Sequence, residues 1–402
     1  MPRNLSLIVL VLALYKEVIG DSKDNPEEFL DVSGMIVYNG YPTQTHTVVT
    51  EDGYALTVHR IPHGRGKRNS TYCDKGVVLL QHGISGSSAS WVYTGKDNAL
   101  SYMLADQGYD VWLPNVRGNE YSTMHTPQRD PRTKEFWNFS LDEGGVYDLP
   151  AVIDYILKKT GKEKIIYVGH SMGTTLFYIM MSQRPEYNQK ITVMISLAPI
   201  AYTSHSKNAL GNVLGYLYDP LSKLLNLIGF THIIATPHVL SKIGPLLCIE
   251  TPVISYICQK FLISVMETDL HSLNQTFIPV YLNNVNAGAS YMQLMHCVQL
   301  SNSGRFCQYD YGKSENLIRY NSTQPPSYNI SETKVPVAIL HSDGDNVADV
   351  TDVMKLYNEL PNVIKLQKVE SKDFKHEDFI AHKDVATLVN KPVIDILHLY
   401  CT

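Results

Sequence analysis

The sequence predicts an α/β fold, a mostly parallel sheet flanked by helices with a helical insertion, and three observations predict it. Short apolar runs recur with helical patterns between them; several of those runs do not alternate polar and apolar residues; and the pattern stops after Pro199, to resume only at Val335. Uninterrupted apolar runs suit strands buried on both faces, which is the situation inside a parallel sheet.

The expected strands are GVVLLQHG from Gly76, YDVWLP from Tyr109, KIIYVG from Lys164, ITVMISLAP from Ile191 and VPVAILHS from Val335. Between them DLPAVIDYILKKTG, Asp148 to Gly161, carries apolar residues at helical spacing and stops at a glycine, a helix end signal. The stretch from Tyr202 to Asn302 is rich in Leu, Ile and Pro, helical in tendency, and lacks strand punctuation. Residues 202–302 are therefore expected as a cap or lid inserted into a core made of residues 21–201 and 303–402. Helices packed there only for stability are the plainer alternative.

A chain of 402 residues with 44% apolar and 18% charged residues can bury a sizeable core. Its net charge of −5 offers no basic field to a polyanion, so no nucleic-acid partner is expected. The first twenty residues, MPRNLSLIVLVLALYKEVIG, have one arginine and an apolar run from Leu5 to Tyr15. That run is about half the length of roughly twenty residues that a bilayer span needs, so residues 1–20 read as a signal peptide and not as a transmembrane anchor.

An even set of six cysteines, Cys73, Cys248, Cys258, Cys297, Cys307 and Cys401, suits an oxidising compartment. Cys248 with Cys258 and Cys297 with Cys307 lie close enough to suggest two local bridges. Five Asn-x-Ser/Thr acceptors follow the leader, at Asn69, Asn138, Asn274, Asn321 and Asn329, and support export alongside it. A secreted protein is expected, with the lysosome as the alternative.

The site is signalled by YVGHSMGTT, in which Ser171 stands between Gly169 and Gly173 at the passage from an expected strand to an expected helix. Such a turn exposes a serine hydroxyl, and the glycines permit its strained backbone. A serine hydroxyl becomes nucleophilic when an imidazole, itself oriented by a carboxylate, takes its proton. In this strand–turn–helix arrangement the acid and then the histidine follow the serine along the chain. His376 is the expected base because DFKHEDF reads as a polar loop, while His382 and His398 fall in helical segments. For the acid, Asp343 and Asp345 both lie just past an expected strand end in LHSDGDNVAD, with Asp349 nearby. An oxyanion formed during acyl transfer needs two N–H donors. The amide of Met172 follows the nucleophile directly, and the amide of Ile84 lies in HGISGSS after an early strand. No metal-ligand spacing is visible, and no cofactor is expected.

The segments GYPTQTHTVVTEDGYALTVHRIPHG, LLQHGISGSSASWV, GYDVWLPNVRGNEYS, FWNFSLDEGGVYDLPAVIDYIL, GHSMGTT, HSDGDNVADVTDV and KHEDF, in that order, resemble those of the acid lipases. That family includes gastric and lysosomal lipases and the related insect digestive lipases. The resemblance implies an α/β-hydrolase core with a helical cap, a Ser171–Asp345–His376 triad, and hydrolysis of neutral lipid esters, triacylglycerols or sterol esters, at a lipid–water interface. With it, Asp345 is the expected acid, leaving Asp343 and Asp349 to cap or brace the turn. This chain departs from the family pattern in carrying Met172 where many relatives have Gln, which leaves the backbone donor intact. It also has HSDG where relatives often have a second glycine and no nearby acid. The rival readings are a carboxylesterase for smaller soluble esters and a lipid-binding protein that has lost catalysis.

Overall fold

The computed structural model describes residues 25–66, 75–126, 129–208, 231–233, 267–268, 271–371 and 373–400. The expected signal peptide, Asn69, Cys73, Cys248, Cys258, Cys401 and most of the expected lid lie outside them.

Eleven named strands occur among the described residues. Nine form one sheet: β1 (Gln44–Val49), β2 (Tyr54–Ile61), β3 (Val77–Gln81), β4 (Asp110–Pro114), β5 (Met124–His125), β6 (Ile165–His170), β7 (Ile191–Leu197), β10 (Val337–His341) and β11 (Val363–Lys368). The remaining two, β8 (His232–Ile233) and β9 (Ala289–Ser290), pair with each other. The large sheet runs β1-β2-β4-β3-β6-β7-β10-β11, with β5 on β2. From β4 to β11 every neighbour is parallel, while β1, β2 and β5 add an antiparallel edge. The central strands β3, β6 and β10 are buried at every residue, as their non-alternating apolar sequence requires of strands covered on both faces. The edge strands escaped the sequence reading for the converse reason: β1 and β11 are largely exposed or half-buried and carry polar residues such as Gln44, His46, Lys365 and Gln367.

Helices α1 (Val32–Tyr38), α2 (Leu100–Asp106), α3 (Leu149–Thr160) and α4 (Met172–Gln183) belong to the amino-terminal half. The expected helix is α3, ended by Gly161 in the left-handed region at φ 70°. Helix α4 is buried from Met172 to Met181, the mark of a helix enclosed on all sides. It lies so close to the π-helical turn Gly144–Asp148 that a Cβ on Gly145 would stand 2.4 Å from Ile179. Fully burying one Ile or Leu contributes about 1.5–3 kcal/mol, so the sheet and α4 are where the stability of the chain concentrates.

Within residues 202–302 the described part holds β8, α5 (Ile278–Asn284), β9 and α6 (Tyr291–Ser303). Helix α6 starts in a reciprocal capping box between Ser290 and Gln293. Val280, Tyr281, Leu282 and Leu300 pack into the same buried cluster as the sheet, whereas Tyr291, Met295, Val298 and Tyr309 form a separate one. Helices α7 (Lys313–Tyr320), α8 (Val350–Glu359), α9 (Asp378–Ala381) and α10 (Lys391–His398) complete the chain.

One expectation is corrected here. Cys297 and Cys307 are free thiols, not a bridge. Cys297 lies on α6 next to His296, whose Nε2–H donates to the Cys307 carbonyl at 2.9 Å. The helix turns about 100° per residue, so the neighbour of the residue that faces Cys307 faces elsewhere. Of the expected glycosylation acceptors that are described, Asn138, Asn274, Asn321 and Asn329 are all exposed.

Candidate active site

Ser171 closes β6 and opens α4 with φ 53° and ψ −122°. A residue held in so sparse a backbone region costs about 1–3 kcal/mol, which the surroundings must offset. Its amide donates to the Leu197 carbonyl at 3.1 Å, and its carbonyl accepts from the Thr174 amide at 2.8 Å and the Thr174 hydroxyl at 2.7 Å. The flanking glycines are a packing requirement. A Cβ on Gly169 would stand 2.9 Å from the Gly173 backbone, and one on Gly173 only 2.5 Å from the Gln81 carbonyl oxygen of β3.

The loop after β11 brings His376 to this turn. The Ser171 hydroxyl donates to His376 Nε2 at 2.7 Å, and His376 Nδ1–H donates to Asp345 Oδ2 at 2.8 Å. Asp345 Oδ1 accepts from the amides of Val347 and Ala348, each at 2.8 Å. All three side chains are buried. Burial by itself pushes the His376 imidazole down, but the adjacent Asp345 carboxylate more than reverses this, so its pKa is raised. Burial would lift Asp345, yet His376 and the two amides hold it below the ordinary carboxylate value. An ionised acid beside an imidazole that gains from protonation is the electrostatic arrangement a general base needs.

The neighbouring acids are placed differently. Asp343 is exposed and ion-paired with Lys368. Asp349 caps α8, accepting from the Thr351 amide at 2.8 Å, and pairs with Lys207 at 2.7 Å. Of the three carboxylates, Asp345 is the one that meets His376.

The acid turn and the histidine loop are also joined to each other. Ser342 Oγ donates to the Phe374 carbonyl at 2.7 Å and accepts from the Gly344 amide at 3.0 Å. A Cβ on Gly344 would stand 2.8 Å from that same carbonyl oxygen, so the close approach depends on glycine. His170, one residue before Ser171, donates from Nε2 to the His376 carbonyl at 3.0 Å. Burial draws the His170 pKa down to about 3, which keeps its ring neutral beside His376.

Opposite the serine lies the loop after β3. A Cβ on Gly83 would stand 3.2 Å from the Ser171 Cβ, so this loop covers the nucleophile at backbone distance. The amides of Ile84 and Met172 have no acceptor among the described residues and remain available to a third group. The loop is braced from several sides. His82 donates from Nδ1 to the Gly83 carbonyl at 2.7 Å, the Asn119 side chain donates to the Gly86 carbonyl at 3.4 Å, and the Ala287 amide donates to the Ser85 carbonyl at 2.6 Å.

The structure therefore brings together Ser171, Asp345 and His376, with the loop at Gly83, which Ile84 follows, against the serine and Met172 directly after it. The sequence reading missed the bracing residues His170, Ser342, Gly344 and Ala287. Gly344 had a signal in the glycine between two acids; His170 had its adjacency to the serine; Ala287 had none, because its role depends on a contact across the fold. No group of three or more His, Cys, Asp or Glu is placed to hold a metal ion among the described residues. Chemically, the arrangement can remove a proton from a buried-edge hydroxyl and offer two N–H donors to a developing oxyanion.

Comparison with known proteins follows the same lines. Residues 76–235 match the family described as alpha/beta hydrolase fold, and residues 32–95 the one described as partial alpha/beta-hydrolase lipase region. The gastric triacylglycerol lipase of Bos taurus is 37% identical over 382 residues, 94% of either chain. The lysosomal acid lipase/cholesteryl ester hydrolase of Macaca fascicularis is 36% identical over 403 residues, 99% of either chain. Among solved structures, a bacterial membrane phospholipase A shares the fold at 14% identity, with a TM-score of 0.50 over 99% of both chains.

Proposed function

This chain belongs to the family of gastric and lysosomal acid lipases and is a lipase acting on lipid esters, and we propose that it does so through an acyl-enzyme intermediate on Ser171. The observation that carries the reading is the hydrogen-bonded chain from the Ser171 hydroxyl through His376 to Asp345. His376 takes the hydroxyl proton as Oγ attacks the ester carbonyl. The resulting oxyanion lies against the amides of Ile84 and Met172. Collapse of the tetrahedral adduct returns the proton from His376 Nε2 to the leaving alcohol, and the acyl group stays on Ser171. A water then gives its proton to His376, attacks the acyl carbonyl, and leaves as part of the fatty acid while the proton returns to Ser171 Oγ. Asp345 holds the tautomer with hydrogen on Nδ1 and stabilises the imidazolium in both halves.

The substrates in this reading are long-chain neutral esters, triacylglycerols or sterol esters, met at a lipid–water interface under a cap formed by residues 202–302. The relatives named as gastric and lysosomal lipases and the leader-like first twenty residues support a secreted or lysosomal location. Glycans on the exposed Asn138, Asn274, Asn321 and Asn329 fit the same route. Among the described residues no helix is long and apolar enough to cross a membrane.

A fluorophosphonate probe followed by peptide mass analysis tests the chemistry: the adduct is expected on Ser171. A series of esters of rising acyl length tests the substrate class. The expected result is a sharp rise in rate on long-chain esters once they pass their solubility limit. Smooth saturation on short soluble esters, with no gain at an interface, would point instead to a carboxylesterase.

A further inference from the structure

Beside the triad stands a buried carboxylate that the mechanism does not use. Glu267 is 4% exposed, and its carboxylate accepts from two side-chain amides, Asn208 Nδ2 and Asn346 Nδ2, each at 2.9 Å. Asn346 is the residue directly after Asp345. The Asn346 carbonyl in turn accepts from the amides of Lys207 and Asn208 at 2.7 and 3.0 Å and from the Ser206 hydroxyl at 2.9 Å. The Glu267 main-chain carbonyl accepts from the amide of Glu377, the residue directly after His376, at 3.1 Å. One residue thus holds the neighbour of the acid through its side chain and the neighbour of the base through its backbone.

The backbone at Glu267 is unusual too. Its φ is +47°, in the left-handed region that disfavours any side chain other than glycine's absence of one. A glutamate there, where glycine would be relaxed, carries a backbone cost that the contacts of its carboxylate must offset. Burial raises the pKa of this carboxyl, while the amides of Asn346 and Asn208 and the charge of His376 draw it back.

We propose that Glu267 is a positioning residue for hydrolysis, tying the Asp345 turn to the His376 loop so that the two stay in register while His376 gains and loses its proton. The proposal rests on the Ser171–His376–Asp345 reading given above. Misplacing reacting groups by about 1 Å can cost roughly a hundredfold in rate, so a tie at this point acts on turnover and not on binding. Glu267 is one of several charged or titratable groups facing His376, with Asp345 and Glu377 as the other carboxylates and the neutral His170 on the remaining side.

The test uses the full chain, a short soluble ester and phosphonate titration of active sites, so that rates refer to reactive molecules. Glu267→Gly relaxes the backbone and removes the carboxylate. The fold should be retained, relief of the positive-φ strain offsetting part of the cost of leaving the Asn208 and Asn346 amides unpaired, while kcat falls about tenfold or more, with KM within about twofold. Glu267→Gln keeps the shape and one acceptor. It should retain more of kcat than the glycine variant, and the acidic limb of its kcat/KM profile should move to lower pH by roughly half a unit, because a negative charge near His376 is gone. Combining Glu267→Gly with Asn346→Ala should be no slower than the slower single variant, since both cut the same tie. Glu267 variants with kcat within twofold of wild type and an unmoved acidic limb would overturn the proposal. So would a loss that disappears once rates are normalised to titrated sites. Ser171→Ala, run in parallel, separates the two readings: if it keeps its activity, the triad reading itself fails.

Discussion

The two halves of the active site are held by different forces. On the nucleophile side, backbone presses on backbone: Gly169 against Gly173, and Gly173 against Gln81 of the central strand β3. On the acid–base side the holding contacts are polar, from Asp345 to His376 and the amides of Val347 and Ala348, and from Ser342 to Phe374. Close packing tolerates almost no added volume but is indifferent to charge. Hydrogen-bonded loops accept small changes of shape and respond to charge and pH. The difference teaches that the serine is placed by the core of the fold, while its base must be placed anew by loops.

The largest effect that can break this comparison is on turnover. Ser171→Ala should lower kcat by roughly 10⁴-fold or more while the melting temperature stays near wild type, since one hydroxyl leaves and no contact is crowded. His376→Ala should match it, and the double variant should be no slower than either. A double variant much slower than both would mean that the two do not act as a unit. Next, Asp345→Asn should cost roughly 10³- to 10⁴-fold in kcat with the fold retained, because the amide can still accept from Val347 and Ala348 but cannot fix the Nδ1–H tautomer. If Asp343→Asn carries that loss instead, the acid has been misplaced.

On the packing side the readout changes from rate to stability. Gly173→Ala should destabilise the chain by about 3 kcal/mol, because the added methyl meets a carbonyl oxygen of a buried strand that cannot move aside. A variant as stable as wild type would refute the claim that the elbow is held by sterics.

A smaller effect concerns pH. With its folded-state pKa raised, protonated His376 stabilises the fold below the ordinary imidazole value, and that contribution is lost as pH climbs through the raised one. Asp345, depressed, contributes above the ordinary carboxylate value and loses its share as pH falls through the lowered one. The pair therefore stabilises most in mildly acid solution. The gap in melting temperature between wild type and His376→Ala should be widest there and narrow toward alkaline pH. A gap that widens with pH would reverse the assignment. Smallest of all, Asp343→Asn should leave kcat within about twofold, its partner Lys368 being an exposed cation worth about 0–1 kcal/mol.

What could be read from the sequence follows the same division. Ser171 was legible because the elbow is a local event: two glycines, a strand before and a helix after, all within a few residues. The central strands were legible because burial on both faces leaves an unbroken apolar signature. Asp343 and Asp345 could not be separated by pattern. They stand two residues apart in one turn, and which of them points inward is decided by contacts with Phe374 and His376 far along the chain. The spacing of Cys297 and Cys307 suggested a bridge because sequence distance ignores which way a helix faces. Glu267 carries no local signal at all, since its task comes from Asn208, Asn346 and Glu377.

One feature of the triad bears on how the protein comes into being. Ser171 and His376 are 205 positions apart, and between them the chain must lay down β7, β10 and β11 in parallel register. Parallel pairings across long loops are the slow steps of folding, since closure entropy is spent before the contact returns it. The elbow and helix α4 can form early from nearby residues, whereas the hydrogen bond from Ser171 to His376, proposed to make the serine reactive, can form only after the last strand has docked. During refolding from denaturant, helical circular dichroism should therefore recover well before reactivity toward a phosphonate. A chain interrupted late in synthesis, before residue 376, would fold its nucleophile and yet cleave nothing.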